Sequence, residues 1–204
     1  CGAARNLISV AVTEARPPTT QLETSPMSST SLNDLLIDEL QDLCNAGNQL
    51  ANARPKMAKA AANAKLKTGF PAHLEETKGH VQRLAQAFKL LDERVKGRLC
   101  PAVKGLVEEG AGAIEDNDPS LVRDAQPIGA AQRVEHYELA GYGTVRALAA
   151  ILGHDEVAKP VQLTLDEEGA TDKKLTLISI ELNAAALNEG DEGSAAGTVV
   201  FTSF

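Results

Sequence analysis

The chain has 204 residues, 43% hydrophobic, 24% charged and only 3% aromatic, with a net charge of -8 and a pI near 5.1. This is the composition of a soluble globular protein with room for one good core or two small ones. The acidity argues against a nucleic-acid surface, which needs clustered Lys and Arg, and no apolar run is long enough to span a bilayer. Without Trp, the core must be built from Leu, Val, Ile and Ala, which suits helices packed at close range.

Cys1, Cys44 and Cys100 are an odd number of thiols at wide spacing, with no CxxC pair and no disulfide framework. That pattern favours a reducing compartment and hence the cytoplasm. The chain begins at Cys1, so an exported or lipid-anchored product is the alternative, although no signal segment accompanies it.

Residues 1–30 form a tail in which "NLISVAVTE" is strand-like and "ARPPTTQLETSPMSST" is a linker. A helical region follows over 31–190. Its first helix, "STSLNDLLIDELQDLCNAGNQL", opens on Ser/Thr caps and repeats Leu36, Leu40, Leu43 and Leu50 at helical spacing. The second runs from about Asn63 to Leu91 on the stripe Phe70, Leu74, Val81, Leu84, Phe88 and Leu91. "CPAVKGLVEEGAGAIEDND" is a short connecting helix. The third long helix has Asp118 as its cap, Pro119 in its first turn and Gly153 at its close. The fourth spans "HDEVAKPVQLTLDEEGATDKKLTLISIELNAAALNEG". Residues 191–204 are a second tail, ending in the strand-like "TVVFTSF". Four long helices with short connections predict an all-α antiparallel bundle.

The charged residues sit in odd places. Alternating steps of three and four trace the inward seam of the third long helix through Ile128, Ala131, Glu135, Glu138, Tyr142, Val145, Ala149 and Leu152. The same walk along the fourth gives Val161, Leu165, Glu168, Asp172 and Leu175. In the second helix His73, Glu76 and His80 share one shoulder of the apolar stripe. Unpaired buried carboxylates cost several kcal/mol each, and Arg83 is the nearest cation on these faces. Oxygen and imidazole donors at one level suit an iron or manganese pair. Glu76 and His80 also align with Glu168 and Asp172, as in a duplicated helix pair. His136 falls off the seam and His154 at a helix boundary, so neither is a candidate ligand. Gly141 and Gly143 follow no strand and form no phosphate loop.

The segments "LNDLLIDELQDL", "PKMAKAA", "HLEETKGHVQRL", "CPAVKGLVEEG", "AAQRVEHYELAGYGT" and "TLDEEGATDKKL", in that order, resemble the YciF-type ferritin-like stress-protein family over roughly 31–190. The resemblance implies a rubrerythrin-like four-helix bundle, a dimer through bundle faces and an association with bacterial stress. It maps Glu76, Glu135, Glu138 and Glu168 onto metal ligands, with His80 and Asp172 as further candidates, Asp172 otherwise accepting a hydrogen bond from a ligand. The family usually carries Glu where this chain has Gly47, and Tyr where it has Cys44, which is either a buried inert thiol or a substitute ligand. Pro71, Pro127 and Pro160 interrupt stretches that the family keeps free of proline.

Two functions follow. One is a di-metal carboxylate protein, holding iron or manganese, that reacts with oxygen or peroxide; oxidase- or peroxidase-like turnover is then in question because of Gly47. The other is an assembly protein on the same scaffold with a degenerate site, forming homo-oligomers by strand addition of its tails.

Overall fold

Ser31 starts the first helix. Its extended backbone lets the Ser31 hydroxyl accept from the Asp34 N–H at 3.1 Å, while the Asp34 carboxylate accepts from the Ser31 N–H at 3.0 Å, so two otherwise unpaired donors are satisfied reciprocally. The computed structural model describes residues 30–61, 63–115 and 121–191, apart from the side chains of 113–115 and 189–191. These contain α1 (Leu32–Ala60), α2 (Ala64–Leu90), α3 (Pro101–Glu115), α4 (Leu121–Ile151) and α5 (Asp155–Asp191), and no strand lies among them. Both expected tail strands, and the Asp118–Pro119 cap, lie outside the described residues.

The long helices form two antiparallel hairpins, α1 with α2 and α4 with α5. The first hairpin turns around Asn63, whose side chain accepts from Lys65 and Leu66. The second turns at Gly153, where φ of +81° permits a left-handed cap. His154 N–H thereby reaches the Ala149 carbonyl at 2.8 Å and Gly153 N–H the Ala150 carbonyl at 3.2 Å. Between the hairpins the chain crosses the length of the bundle. Residues 93–100 run along α1, with Arg98 N–H on the Gln41 carbonyl and Cys100 N–H on Asn45, and α3 then packs across α1 and α4.

Two apolar clusters fill the ends. One joins Leu36, Leu40 and Leu43 of α1 to Leu84 and Phe88 of α2, Val145 of α4 and Val161 of α5. The other joins Leu66 and Phe70 to Ile128, Leu175 and Leu182. Because the start of α1 and the end of α4 share a cluster, those two helices also run antiparallel, so the crossover gives the single long connection of ferritin-like bundles.

Some expectations are corrected. The first helix continues ten residues past Leu50, through Pro55. Pro71, Pro127 and Pro160 sit inside helices without breaking them. Pro55 and Pro71 are exposed, so the carbonyls their rings free can turn to water, and Pro160 lies close to the start of α5. The seam of α5 is shifted: Thr164 and Thr171 are buried where Leu165 and Asp172 were expected.

Candidate metal centre

Between the two apolar clusters lies a polar layer. Seven of its members are fully or almost fully buried: Arg54 from α1, His73 and His80 from α2, Glu135 and Glu138 from α4, and Glu168 and Thr171 from α5. Each arrives by helical spacing. Glu135 and Glu138 occupy adjacent turns of the α4 seam between Ala131 and Tyr142, all four buried. His73, Thr77 and His80 form the buried line of α2, so the histidines face the centre of the bundle rather than its shoulder.

His73 is the hub. Its Nε2 lies 3.1 Å from Glu135 Oε1 and 3.6 Å from Glu168 Oε2, and its Nδ1 lies 3.0 Å from Glu76 Oε2. On the other side His80 Nδ1 stands 2.8 Å from Glu168 Oε1, without the alignment of a hydrogen bond, while His80 Nε2 meets Glu167 Oε2 at 2.8 Å. Arg83 holds Glu167 with both guanidinium nitrogens at the edge of the layer, so its charge is already matched there. The cation that reaches the interior is Arg54, not Arg83. Its Nη2 is 3.5 Å from Glu135 and 3.6 Å from Glu138.

Six expected ligands thus divide. Glu135, Glu138, Glu168 and His80 meet inside the layer. Glu76 stays half-exposed at its rim, touching His73. Asp172 lies partly buried between α4 and α5, beside the layer, where its carboxylate accepts from Gln132 at 3.3 Å and sits 3.7 Å from His136. The alignment of His80 with Asp172 therefore does not correspond to facing positions. Cys44 is buried in the first apolar cluster, where burial pushes its thiol pKa up and keeps it inert. Gly47 packs against α2, and a Cβ there would stand 2.9 Å from Val81 Cγ2.

The layer is short of partners. Both oxygens of Glu138 and of Glu168, one of Glu135, His80 Nδ1 and the Tyr142 hydroxyl are buried without a hydrogen bond. Each such atom costs about 1–3 kcal/mol unless something else satisfies it. Protonation is one response. Burial, opposed by Arg54 and reinforced by Glu135, pushes Glu138 up to about 7. Burial and the charges of Glu138 and Glu135 push Glu168 up to about 12. For Glu135 burial acts upward too, but His73, the neighbouring Glu168 carboxyl and Arg54 outweigh it and hold the group low. Burial lowers His80 to about 4, so its ring is neutral and keeps a lone pair to donate.

A cation is the other response, and the donors fit one. Atoms of His73, Glu135 and Glu168 all lie within 4.8 Å of one another. Two donors about 2.1 Å from an octahedral ion and at right angles sit about 3 Å apart, close to the 3.1 Å of the His73–Glu135 pair. Mixed imidazole and carboxylate suits iron, manganese or zinc better than calcium. A cavity of about 470 Å³ reaches this face of the layer. Its walls are largely apolar, including Leu50, Met57, Phe70 and Val134, and its inner end touches His73 and Glu135.

Residues 31–188 match the sequence family described as a domain of unknown function, DUF892. The chain belongs to this family. It is 43% identical over 165 residues to Protein YciF of Escherichia coli K12, covering 80% of this chain and 99% of that one. The crystal structure of that E. coli stress protein superposes with a TM-score of 0.74, covering 76% of this chain and 98% of the other. YcfI from Rhodopseudomonas palustris, 38% identical, superposes with a TM-score of 0.70 over 75% of this chain and 96% of its own. A protein from Xanthomonas campestris, 20% identical, shares the fold at a TM-score of 0.65 over 79% of this chain and 99% of its own. The DUF892 match begins at the residue that caps α1.

Sequence reasoning left two members of the layer out of the ligand set. The sequence groups His73 with Glu76 and His80 without making it a ligand; Thr77, itself buried, marks the line it shares with His73 and His80. Arg54 lies beyond the Leu50 end that the sequence pattern gives the first helix; continuing the same walk from Leu43 through Gly47 and Leu50 lands on it.

Proposed function

We propose that this DUF892 protein binds iron or manganese in its buried His–Glu layer and serves a bacterial stress response by handling oxygen, peroxide or the metal itself. The observation that carries the reading is the set of unpartnered carboxylate and imidazole atoms closed off inside one level of the bundle. His73, Glu135 and Glu168 would hold the ion. Bound there, a redox-active ion supplies one-electron exchange with oxygen or peroxide.

The protein's own groups set the conditions. Neutral His80 offers a nitrogen lone pair, and Glu76 orients the His73 ring through Nδ1 so that Nε2 faces Glu135. The apolar walls of the cavity admit a small neutral reactant while limiting water. The stress role is suggested by the E. coli relative, which is described as a stress protein.

A second reading, a scaffold whose metal site has decayed, draws on Gly47: the first helix gives no carboxylate there, and Val81 crowds the space. Metal analysis separates the two. Wild-type protein loaded with Mn²⁺ or Fe²⁺ and desalted should retain metal, and a Glu135→Ala, Glu168→Ala double variant should not. Equal metal in both would leave only the scaffold.

A further inference from the structure

Arg54 takes the place of a second metal ion. We infer, resting on the metal-binding reading above, that the layer accepts a single divalent cation, and that the Arg54 guanidinium permanently fills the second cation position beside Glu138.

Position is the first argument. Arg54 is 5% exposed, and its Nη2 sits between Glu135 and Glu138, at 3.5 and 3.6 Å, while Nη1 reaches the His73 carbonyl at 3.4 Å. Arg54 donates long hydrogen bonds to Glu135 and the His73 carbonyl and meets Glu138 by charge alone, and neither oxygen of Glu138 is otherwise engaged. The guanidinium therefore occupies the space between Glu135 and Glu138 Oε2 that a cation shared by those carboxylates would take.

Charge is the second. Glu135, Glu138 and Glu168 are the buried carboxylates of the layer, and Arg54 is its buried cation. Fully ionised, these four groups carry about -2, which one divalent ion cancels; two would leave about +2 in a buried layer, an expensive state. Glu167 does not alter the count, since Arg83 pairs with it. Glu76 is half-exposed at the rim, where solvent screens it.

Ligand supply is the third. His73, Glu135 and Glu168 cluster for one ion, whereas Glu138 faces Arg54. The first helix could complete a second position only from its inward seam, and there it presents Gly47, packed on Val81, and then Arg54 itself. Gly47 and Arg54 lie two turns apart on one helix face. The buried face of α1 thus offers the layer a positive side chain and no carboxylate.

The test is stoichiometry. Full-length protein is stripped with chelator, reloaded with Mn²⁺ without oxygen, and examined by native mass spectrometry and elemental analysis. Wild type should carry one ion per chain. Arg54→Met, which keeps length but not charge, should carry two, using Glu138, Glu168 and His80 for the second; Arg54→Lys should stay at one. Circular dichroism confirms that each variant is folded. Glu138→Gln in the wild-type background should weaken the single ion less than tenfold, and Glu168→Gln more than a hundredfold. Two ions in wild type, or one in folded Arg54→Met, would overturn the inference and leave the metal-binding reading intact. No ion in any of them would overturn both. If Arg54→Met does not fold, the wild-type count and the Glu138→Gln to Glu168→Gln contrast decide.

Discussion

Removing metal should make this protein sensitive to alkali in a way that the loaded protein is not. In the empty layer Glu138 is pushed up to about 7 and Glu168 to about 12, so the folded chain holds protons that the unfolded chain releases near 4.5. A folded state that binds the extra proton loses stability as pH rises, by about 1.4 kcal/mol per group per pH unit, until the folded pKa is passed. His80 acts in the opposite sense. Burial lowers it to about 4, so its contribution is lost as pH falls from 6.5 towards 4 and is complete above 6.5. Between about pH 6.5 and 8.5 only the carboxyls count: roughly half a unit from Glu138 and two from Glu168, or about 3 kcal/mol in all. For a domain of this size that lowers the melting temperature by about 6–12 °C. Melts followed by circular dichroism in chelator at three pH values measure it, beside a series with excess Mn²⁺. The metal displaces the protons, so the loaded series should be nearly flat and stabilisation by metal should grow with pH. A metal-free melting temperature that held steady or rose over this range would refute the reasoning, as would a Glu168→Gln variant with an unchanged slope.

Close packing makes further predictions. A methyl added at Gly141 would stand 2.7 Å from Cδ2 of Leu43, which is 1% exposed, so Gly141→Ala should cost about 1–2 kcal/mol in urea titrations despite the better helix propensity. Gly129→Ala meets nothing within 4 Å and should gain about 0.5–1 kcal/mol in the same assay. Leu40→Ala, at a fully buried position of the first apolar cluster, should lose about 2–5 kcal/mol. Arg83→Met removes a half-exposed pair with Glu167 and should cost less than about 1 kcal/mol.

The architecture was legible because the helices are long and their apolar residues recur without ambiguity. The α4 walk found Ile128, Ala131, Glu135, Glu138, Tyr142, Val145 and Ala149, all of them buried. The α5 walk slipped by one residue on each side of Glu168, because threonine tolerates either face and a leucine at 165 was the stronger apolar cue. Asp172, which that walk placed on the seam, is partly buried beside it and bonds to Gln132 of α4. Arg54 was illegible for a different reason: it directly precedes Pro55, a position biased away from helix, and an arginine rarely reads as an inward residue. Both local rules yield here to the carboxylates it faces.

The most direct test of the central claim is anomalous diffraction at the manganese edge from a crystal of the reloaded protein. The account predicts a single peak per chain bounded by His73, Glu135 and Glu168, with Arg54 still lying against Glu138. An empty layer, or an ion bound only at the outer surface near Asp172, would contradict it.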